Sequence, residues 1–165
     1  MRVVLQRVCE ASVVSQRGVS HGPLCLRGAV DGQICGKIGR GLLVLAAFED
    51  ADGDGDLDWM AGKILRMRLF ADDAGVMNRS VQEVDGEILA VSQFTLYASV
   101  RKGNRPSWSR AARSEISEPL FQRFVAKLAQ EFGKPVASGV FGADMLVSLV
   151  NDGPVTVCVD SRSLE

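Results

Sequence analysis

The chain opens on two short β-branched runs, RVVLQRV and EASVVS, whose valine content and alternation predict a pair of strands joined near Cys9. The pattern then dissolves. Residues 16–32, QRGVSHGPLCLRGAVDG, are rich in Gly and contain Pro23, which predicts an extended loop or irregular hairpin. Order returns with QICGKIG and GLLVLAAFE, the second a near-continuous apolar run suited to a strand buried on both faces. After DADGDGD, residues Leu57, Met60, Ala61, Ile64 and Met67 recur at i, i+3, i+4, i+7 and i+10, one face of a helix with Asp54 or Asp56 as its cap. A second helix is marked by Ser117 as cap, Pro119 in the first turn, and the stripe Leu120, Phe121, Phe124, Val125, Leu128 and Phe132. Gly133 stops it and Pro135 lies just beyond. EILAVSQFTLYA, between the helices, has a strand pattern; PVASGVFG, DMLVSLVN and PVTVCVD follow the second helix. Asn151-Asp152-Gly153-Pro154, between the last two runs, reads as a reverse turn joining two strands. About eight strands and two helices without regular βαβ alternation predict a mixed α/β domain: a mainly antiparallel sheet or barrel with the helices packed outside.

Length and charge narrow this picture. At 165 residues the chain suits a single domain spanning residues 1–165, long enough to bury roughly two thirds of its unfolded surface. Hydrophobic residues make up 47% and charged residues 24%, and 19 basic side chains nearly cancel 20 acidic ones, so global charge advertises no polyanion partner. Cys9, Cys25, Cys35 and Cys158 fall outside any C-x-x-C spacing and are expected to be small buried apolar residues. The N-terminus lacks a signal peptide's apolar stretch, and no run approaches the ~20 apolar residues of a membrane helix. A soluble, cytoplasmic protein is expected.

Several chemical signatures fail. Asp50, Asp52, Asp54, Gly55 and Asp58 match positions of a calcium loop, but Ala61 stands where the bidentate Glu is required and a strand pattern precedes the loop. An acidic, solvated strand-to-helix connection is the better reading, and no metal site is expected. The only histidine, His21, has no serine or cysteine motif around it, which argues against a His-dependent triad or a multi-His zinc site. GKIGRG is neither a dinucleotide nor a phosphate-loop fingerprint.

Two stretches remain. From Ile88 to Ser114 there is no Asp or Glu, while Arg101, Lys102, Arg105, Arg110 and Arg113 occur around Trp108. Positive charge beside an aromatic ring suits phosphate contacts and base stacking at a single-stranded nucleic-acid end; a solvated basic loop is the plain alternative. In SQFTLY, residues 92–97, Ser92, Gln93 and Thr95 interrupt what should be a core strand. Such polar groups either hydrogen-bond nearby backbone or line a pocket.

QRV at 6–8, GLLVL at 41–45, SQFTL at 92–96, KGNRPSW at 102–108 and DMLVSLVNDGPVT at 144–156 together resemble the D-aminoacyl-tRNA deacylase family, in matching order along nearly the whole chain. The departure is an insertion at about residues 16–30, where the family passes almost directly to a GEIG-like turn. The resemblance implies a compact β-barrel-like fold and a homodimer with its active site at the subunit interface, working without metal or cofactor. Its substrate would be D-aminoacyl-tRNA, and glycyl-tRNA as well, cleaved to free tRNA and amino acid. In such proteins Gly153 and Pro154 form a cis peptide whose carbonyls, entering the partner's active site, crowd out an L side chain. Arg7 resembles the position that supports this loop. Ser92, Gln93, Phe94 and Thr95 would shape the catalytic pocket for adenosine and carbonyl largely through main-chain groups. The tRNA 2′-hydroxyl would assist the attacking water, with Thr95 as nucleophile a minority alternative. Arg101, Lys102 and Arg105 would receive acceptor-stem phosphates. The competing readings are a non-catalytic RNA-binding module and a related editing domain with a trans Gly-Pro that acts on L-aminoacyl esters.

Overall fold

In the computed structural model, which describes residues 1–15, 33–101 and 103–163, the two opening runs are one strand, β1 (Arg2–Ser15). RVCEA contains no turn-forming Gly, Pro, Asn or Asp, so nothing reverses the chain at Cys9. The buried positions step by two from Val3 to Leu5, by three to Val8 and again to Ala11, then by two to Val13. Those three-residue steps coincide with register shifts between Gln6 and Val8 and between Val8 and Glu10. The strand bulges there and Cys9 and Glu10 face outward.

β2 (Gln33–Ile38) and β3 (Gly41–Ala47) both pair antiparallel with β1, on its later and earlier halves respectively. After α1 (Asp54–Arg66), the chain adds a small hairpin of β4 (Phe70–Ala71) and β5 (Met77–Arg79) that is too short to leave a periodic signal. β6 (Glu87–Ser92) then returns parallel to β3. α2 (Ser114–Phe132) leads to β7 (Ala137–Ser138), parallel to β6, and to β8 (Met145–Asp160), antiparallel to β1 along its whole length. Among the described residues there are eight strands and two α-helices. The number matches the expectation, but four predicted strands have merged into β1 and β8.

The sheet order is β2-β1-β3-β6-β7, with β8 on the other side of β1. The sheet curls almost into a barrel: a Cβ on Gly36 of β2 would stand 3.2 Å from the Ser138 carbonyl oxygen of β7. One cluster, including Val8, Val13, Leu43, Leu89 and Val91, fills the barrel. A larger one, including Leu42, Val44, Leu57, Met60, Phe121 and Phe124, lies between the sheet and the two helices. β3 thus buries alternate residues in opposite cores, which is why its sequence is apolar on both faces. Full burial of each large side chain stabilises the fold by about 1.5–3 kcal/mol, and Phe48 meets Phe124 edge to face at 6.3 Å.

The helix ends differ in detail from the expectation. Gly53, not an aspartate, caps α1, and its N–H donates to the Asp56 carboxylate at 3.0 Å. α2 begins at Ser114, so Ser117 lies a turn inside it, its hydroxyl donating to the Arg113 carbonyl at 3.0 Å. Gly133 ends α2 with φ of 70°. The acidic connection before α1 is not wholly solvated. Asp52 is buried, accepting from the Met1 ammonium at 2.7 Å and the Glu49 N–H at 2.8 Å. The cysteines also depart from expectation: Cys9 and Cys158 are exposed and Cys35 is half-buried. Both exposed cysteines lie on outward positions of long strands. Cys25, His21 and the insertion expected at 16–30 lie outside the described residues. No described helix is long and apolar enough to cross a membrane.

Candidate functional site

The parallel pair β3–β6 ends at the rung between Ala46 and Ser92. Gln93 still donates its N–H to the Ala46 carbonyl at 2.7 Å, but with φ −144° and ψ 72° it turns the chain out of the sheet. A 3-10 helix, Phe94–Tyr97, follows. The strand pattern read through SQFTLYA therefore overran, and the polar residues mark the strand's end.

A cleft of about 490 Å³ opens at this point. Ser92, Gln93 and Phe94 form one wall, Ala112, Ser114 and Ser117 at the start of α2 another, and Phe141–Met145 a third. Thr95 reaches the site indirectly, its hydroxyl accepting from the Gln93 side-chain amide at 2.5 Å. Asp144 is the one ionisable side chain lining the cleft among the described residues. The site thus lacks a side-chain nucleophile paired with a base. The opening N–H groups of a helical turn have no acceptor within the turn. Phe94 and Thr95 open this turn, and Phe94 lines the cleft.

The serines of α2 and the segment Phe141–Met145 were not foreseen as site residues. Phe141 and Gly142 sit in a connection between a two-residue strand and β8, where Gly142 adopts φ of 70°. An aromatic residue beside two glycines in so short a link is the only sequence signal that could have marked it.

Behind the 3-10 helix, Tyr97 is buried and fixes the turn in place. The Arg2 guanidinium donates to the Leu96 carbonyl at 3.0 Å and lies 4.7 Å from the Tyr97 ring centre, with Arg110 at 5.5 Å. Burial pushes the Tyr97 phenol far above its ordinary pKa, helped by the carboxylates of Asp52, Glu49 and Asp160. It stays protonated at any physiological pH, as a packing and cation-binding group rather than a proton carrier.

Gly153 and Pro154 lie elsewhere on the chain. No reverse turn joins two strands here: β8 keeps its direction through Asn151–Thr156. Opposite Gln6 stands Thr156 and opposite Val8 stands Asn151, so the intervening residues loop out as a wide bulge. The turn-like composition of NDGP builds an excursion whose ends remain in one strand. Asn151 closes its base, accepting from the Val155 N–H at 3.1 Å and donating to the Arg7 and Val155 carbonyls, each at 3.1 Å. Arg7 donates to the Asp152 carbonyl at 3.0 Å and to the Leu69 carbonyl at 2.5 Å. At the exposed tip the Gly153–Pro154 peptide is cis, and neither residue lines the cleft.

Beyond the 3-10 helix a loop carries the basic strip. It is pinned by a two-way bridge between Ser99 and Ser107, at 2.8 and 2.9 Å, with Gly103 at φ of 71° near its tip. Arg101 and Arg105 are exposed; Lys102 lies outside the described residues. Arg110 is paired with Glu49 at 2.6 Å.

A nearly closed mixed barrel flanked by two helices is an architecture found in solved structures. One, described as "c-Myc DNA Unwinding Element Binding Protein", is 36% identical with a TM-score of 0.83, over 97% of this chain and 98% of that one. Another, a "probable eukaryotic D-amino acid tRNA deacylase", shares the fold at 22% identity with a TM-score of 0.74, over 96% of this chain and 97% of that one. Residues 4–160 match the profile described as D-Tyr-tRNA(Tyr) deacylase, and the chain belongs to that family. Relatives named D-aminoacyl-tRNA deacylase include one from Dechloromonas aromatica, 66% identical over 98% of both chains. One from Chromobacterium violaceum is 57% identical over the whole of both chains.

Proposed function

We propose that the protein hydrolyses the ester joining a D-amino acid to the terminal adenosine of tRNA. The observation that carries this reading is a cleft lined by Phe94, the first residue of a helical turn, with no nucleophile–base pair among the described residues that line it. An aminoacyl ester is already activated, so its hydrolysis needs a bound water and a stabilised oxyanion more than a strong side-chain base. The N–H groups of Phe94 and Thr95 would receive the oxyanion, while Ser92 and Gln93 help shape the pocket for the adenosine and the carbonyl. Water, assisted by the tRNA 2′-hydroxyl, adds to the ester carbon; the ester C–O bond breaks and the 3′ oxygen leaves with a proton. No cofactor enters, and the cytoplasm, where charged tRNA is used, is the expected compartment.

Chirality is assigned to the bulge of a second copy. Gly153 and Pro154 are exposed, rigidly based on Arg7 and Asn151, and absent from their own cleft. Among the described residues no strand covers the second edge of β8, and a bare edge of this length is a surface that proteins usually cover. In a homodimer the bulge of one protomer would enter the cleft of the other, its main chain occupying the space of an L side chain. Main chain has no rotamer by which to yield, so discrimination works by exclusion. Glycine has nothing to exclude, and glycyl-tRNA is therefore a substrate.

Parallel incubation with the D- and L-tyrosyl esters of one tRNA tests the reading. Free D-tyrosine is released and the L ester is spared; equal cleavage of both, or of neither, refutes it. A second reading, an RNA-binding module, is favoured by the exposed Trp108 and its arginines and by the DNA-binding description of one structural relative; such a module would protect the ester. Thr95→Ala separates main-chain from side-chain chemistry. It removes one hydrogen bond and should change kcat/KM by less than about tenfold; normal binding with no turnover would make Thr95 the nucleophile instead.

A further inference from the structure

Phe94 and Trp108 are both large aromatic residues left in solvent, 56% and 37% exposed, with ring centres 5.6 Å apart at 81°. Their surroundings are ordered. Trp108 follows the Ser99–Ser107 bridge directly, and its carbonyl accepts from the Ala111 N–H at 2.9 Å. Phe94 lines the cleft mouth, so Trp108 extends an apolar surface outward from it. The same stretch is positive: no Asp or Glu occurs from Ile88 to Ser114. Among the described residues no carboxylate pairs with Arg101 or Arg105. An apolar peptide would leave these cations unanswered, and an acidic one would leave the rings unanswered. A flat ring attached to a phosphate satisfies both, because base–aromatic stacking and backbone charge are the two halves of single-strand recognition.

We infer that Trp108, with Phe94, forms a stacking platform for the unpaired nucleobase that precedes the terminal adenosine, with Arg101 and Arg105 facing its phosphates. The platform rests on the deacylase reading and adds a second nucleotide subsite outside the hydrolytic cleft. It makes the enzyme selective for an unpaired 3′ end over a free aminoacyl nucleoside.

The test compares D-tyrosyl-tRNA with D-tyrosyl-adenosine, which lacks the penultimate nucleotide. Trp108→Ala lowers the ratio of kcat/KM on the tRNA to that on the nucleoside by about tenfold, within the range that removal of a stacking partner gives. Trp108→Phe restores most of it. A tRNA with an abasic penultimate nucleotide costs the wild-type protein a similar factor and costs Trp108→Ala nothing more. An unchanged ratio in Trp108→Ala, or an abasic penalty that persists in full in that variant, overturns the platform while deacylation stands. Wild-type protein inactive on both esters overturns the deacylase reading itself, and the platform with it.

Discussion

Gly153→Ala lowers kcat/KM on D-tyrosyl-tRNA by about a hundredfold and narrows the preference for D over L esters. Gly153 has φ of 150°, a backbone conformation that side-chain-bearing residues rarely adopt. A Cβ there would stand 2.5 Å from the Val155 nitrogen and 2.7 Å from its Cγ2. Rotating the Val155 side chain relieves only the second contact, because the nearest atom is main chain. The bulge must therefore shift, while its base is held by the Asn151 and Arg7 hydrogen bonds. Displacement of about 1 Å in a group that positions substrate is enough for a hundredfold loss. The stability cost is smaller, about 1–2 kcal/mol of backbone strain, since the tip is exposed and outside both cores. Steady-state kinetics with both esters, beside thermal melts, check the prediction. A variant with wild-type rate and selectivity would show that the bulge takes no part in catalysis.

The elements that sequence made legible are those whose signal is local and amphipathic. The stripe Leu120, Phe121, Phe124, Leu128 and Phe132 is buried on one face of α2, and the Gly133 stop is where the pattern puts it. β3 is also legible, because two cores on opposite sides leave it apolar throughout. What failed were the places where a strand was taken to end or reverse. NDGP has the composition of a reverse turn, yet pairing with β1 on both sides overrides it and makes a bulge in a 16-residue strand. The break assigned at Cys9 had no turn residue behind it, and β1 runs through. The same division holds at the cleft. Ser92 and Gln93 could be singled out because polar groups in an apolar strand require an explanation, and they do line the cleft. Ser114, Ser117 and Phe141–Met145 come from a helix start and a short connection, where polar or small residues are unremarkable until the fold brings them to one place. The separation of the bulge from the cleft is invisible to any reading of spacing, since it depends on the path of β8.

A second glycine gives the opposite outcome. Gly41→Ala destabilises the protein by about 3 kcal/mol, the upper part of the range for overpacking, and leaves kcat/KM at 20 °C within about threefold of wild type. Gly41 pairs with Glu87 at one end of the parallel ladder between β3 and β6. An added Cβ would lie 1.9 Å from the Glu87 carbonyl oxygen and 2.7 Å from its carbon and nitrogen. All three are backbone atoms in the strand beside it, so the two central strands must part at that end, between the two cores. For a domain of this size about 3 kcal/mol lowers Tm by roughly 10 °C. Typical folding free energies of about 5–15 kcal/mol leave the variant folded at 20 °C. The cleft lies at the other end of the same ladder, where Ala46 pairs with Ser92 and the Gln93 N–H makes its bond to Ala46. The rungs from Leu42–Ile88 to Leu45–Val91 separate the clash from the 3-10 turn, and the fixed register keeps Phe94 in position. Thermal melts and low-temperature kinetics on one preparation distinguish the two variants: Gly153→Ala loses activity and selectivity with little loss of stability, and Gly41→Ala loses stability while its activity is kept. A Gly41→Ala protein with unchanged Tm would mean that β3 and β6 do not approach as closely as this ladder requires.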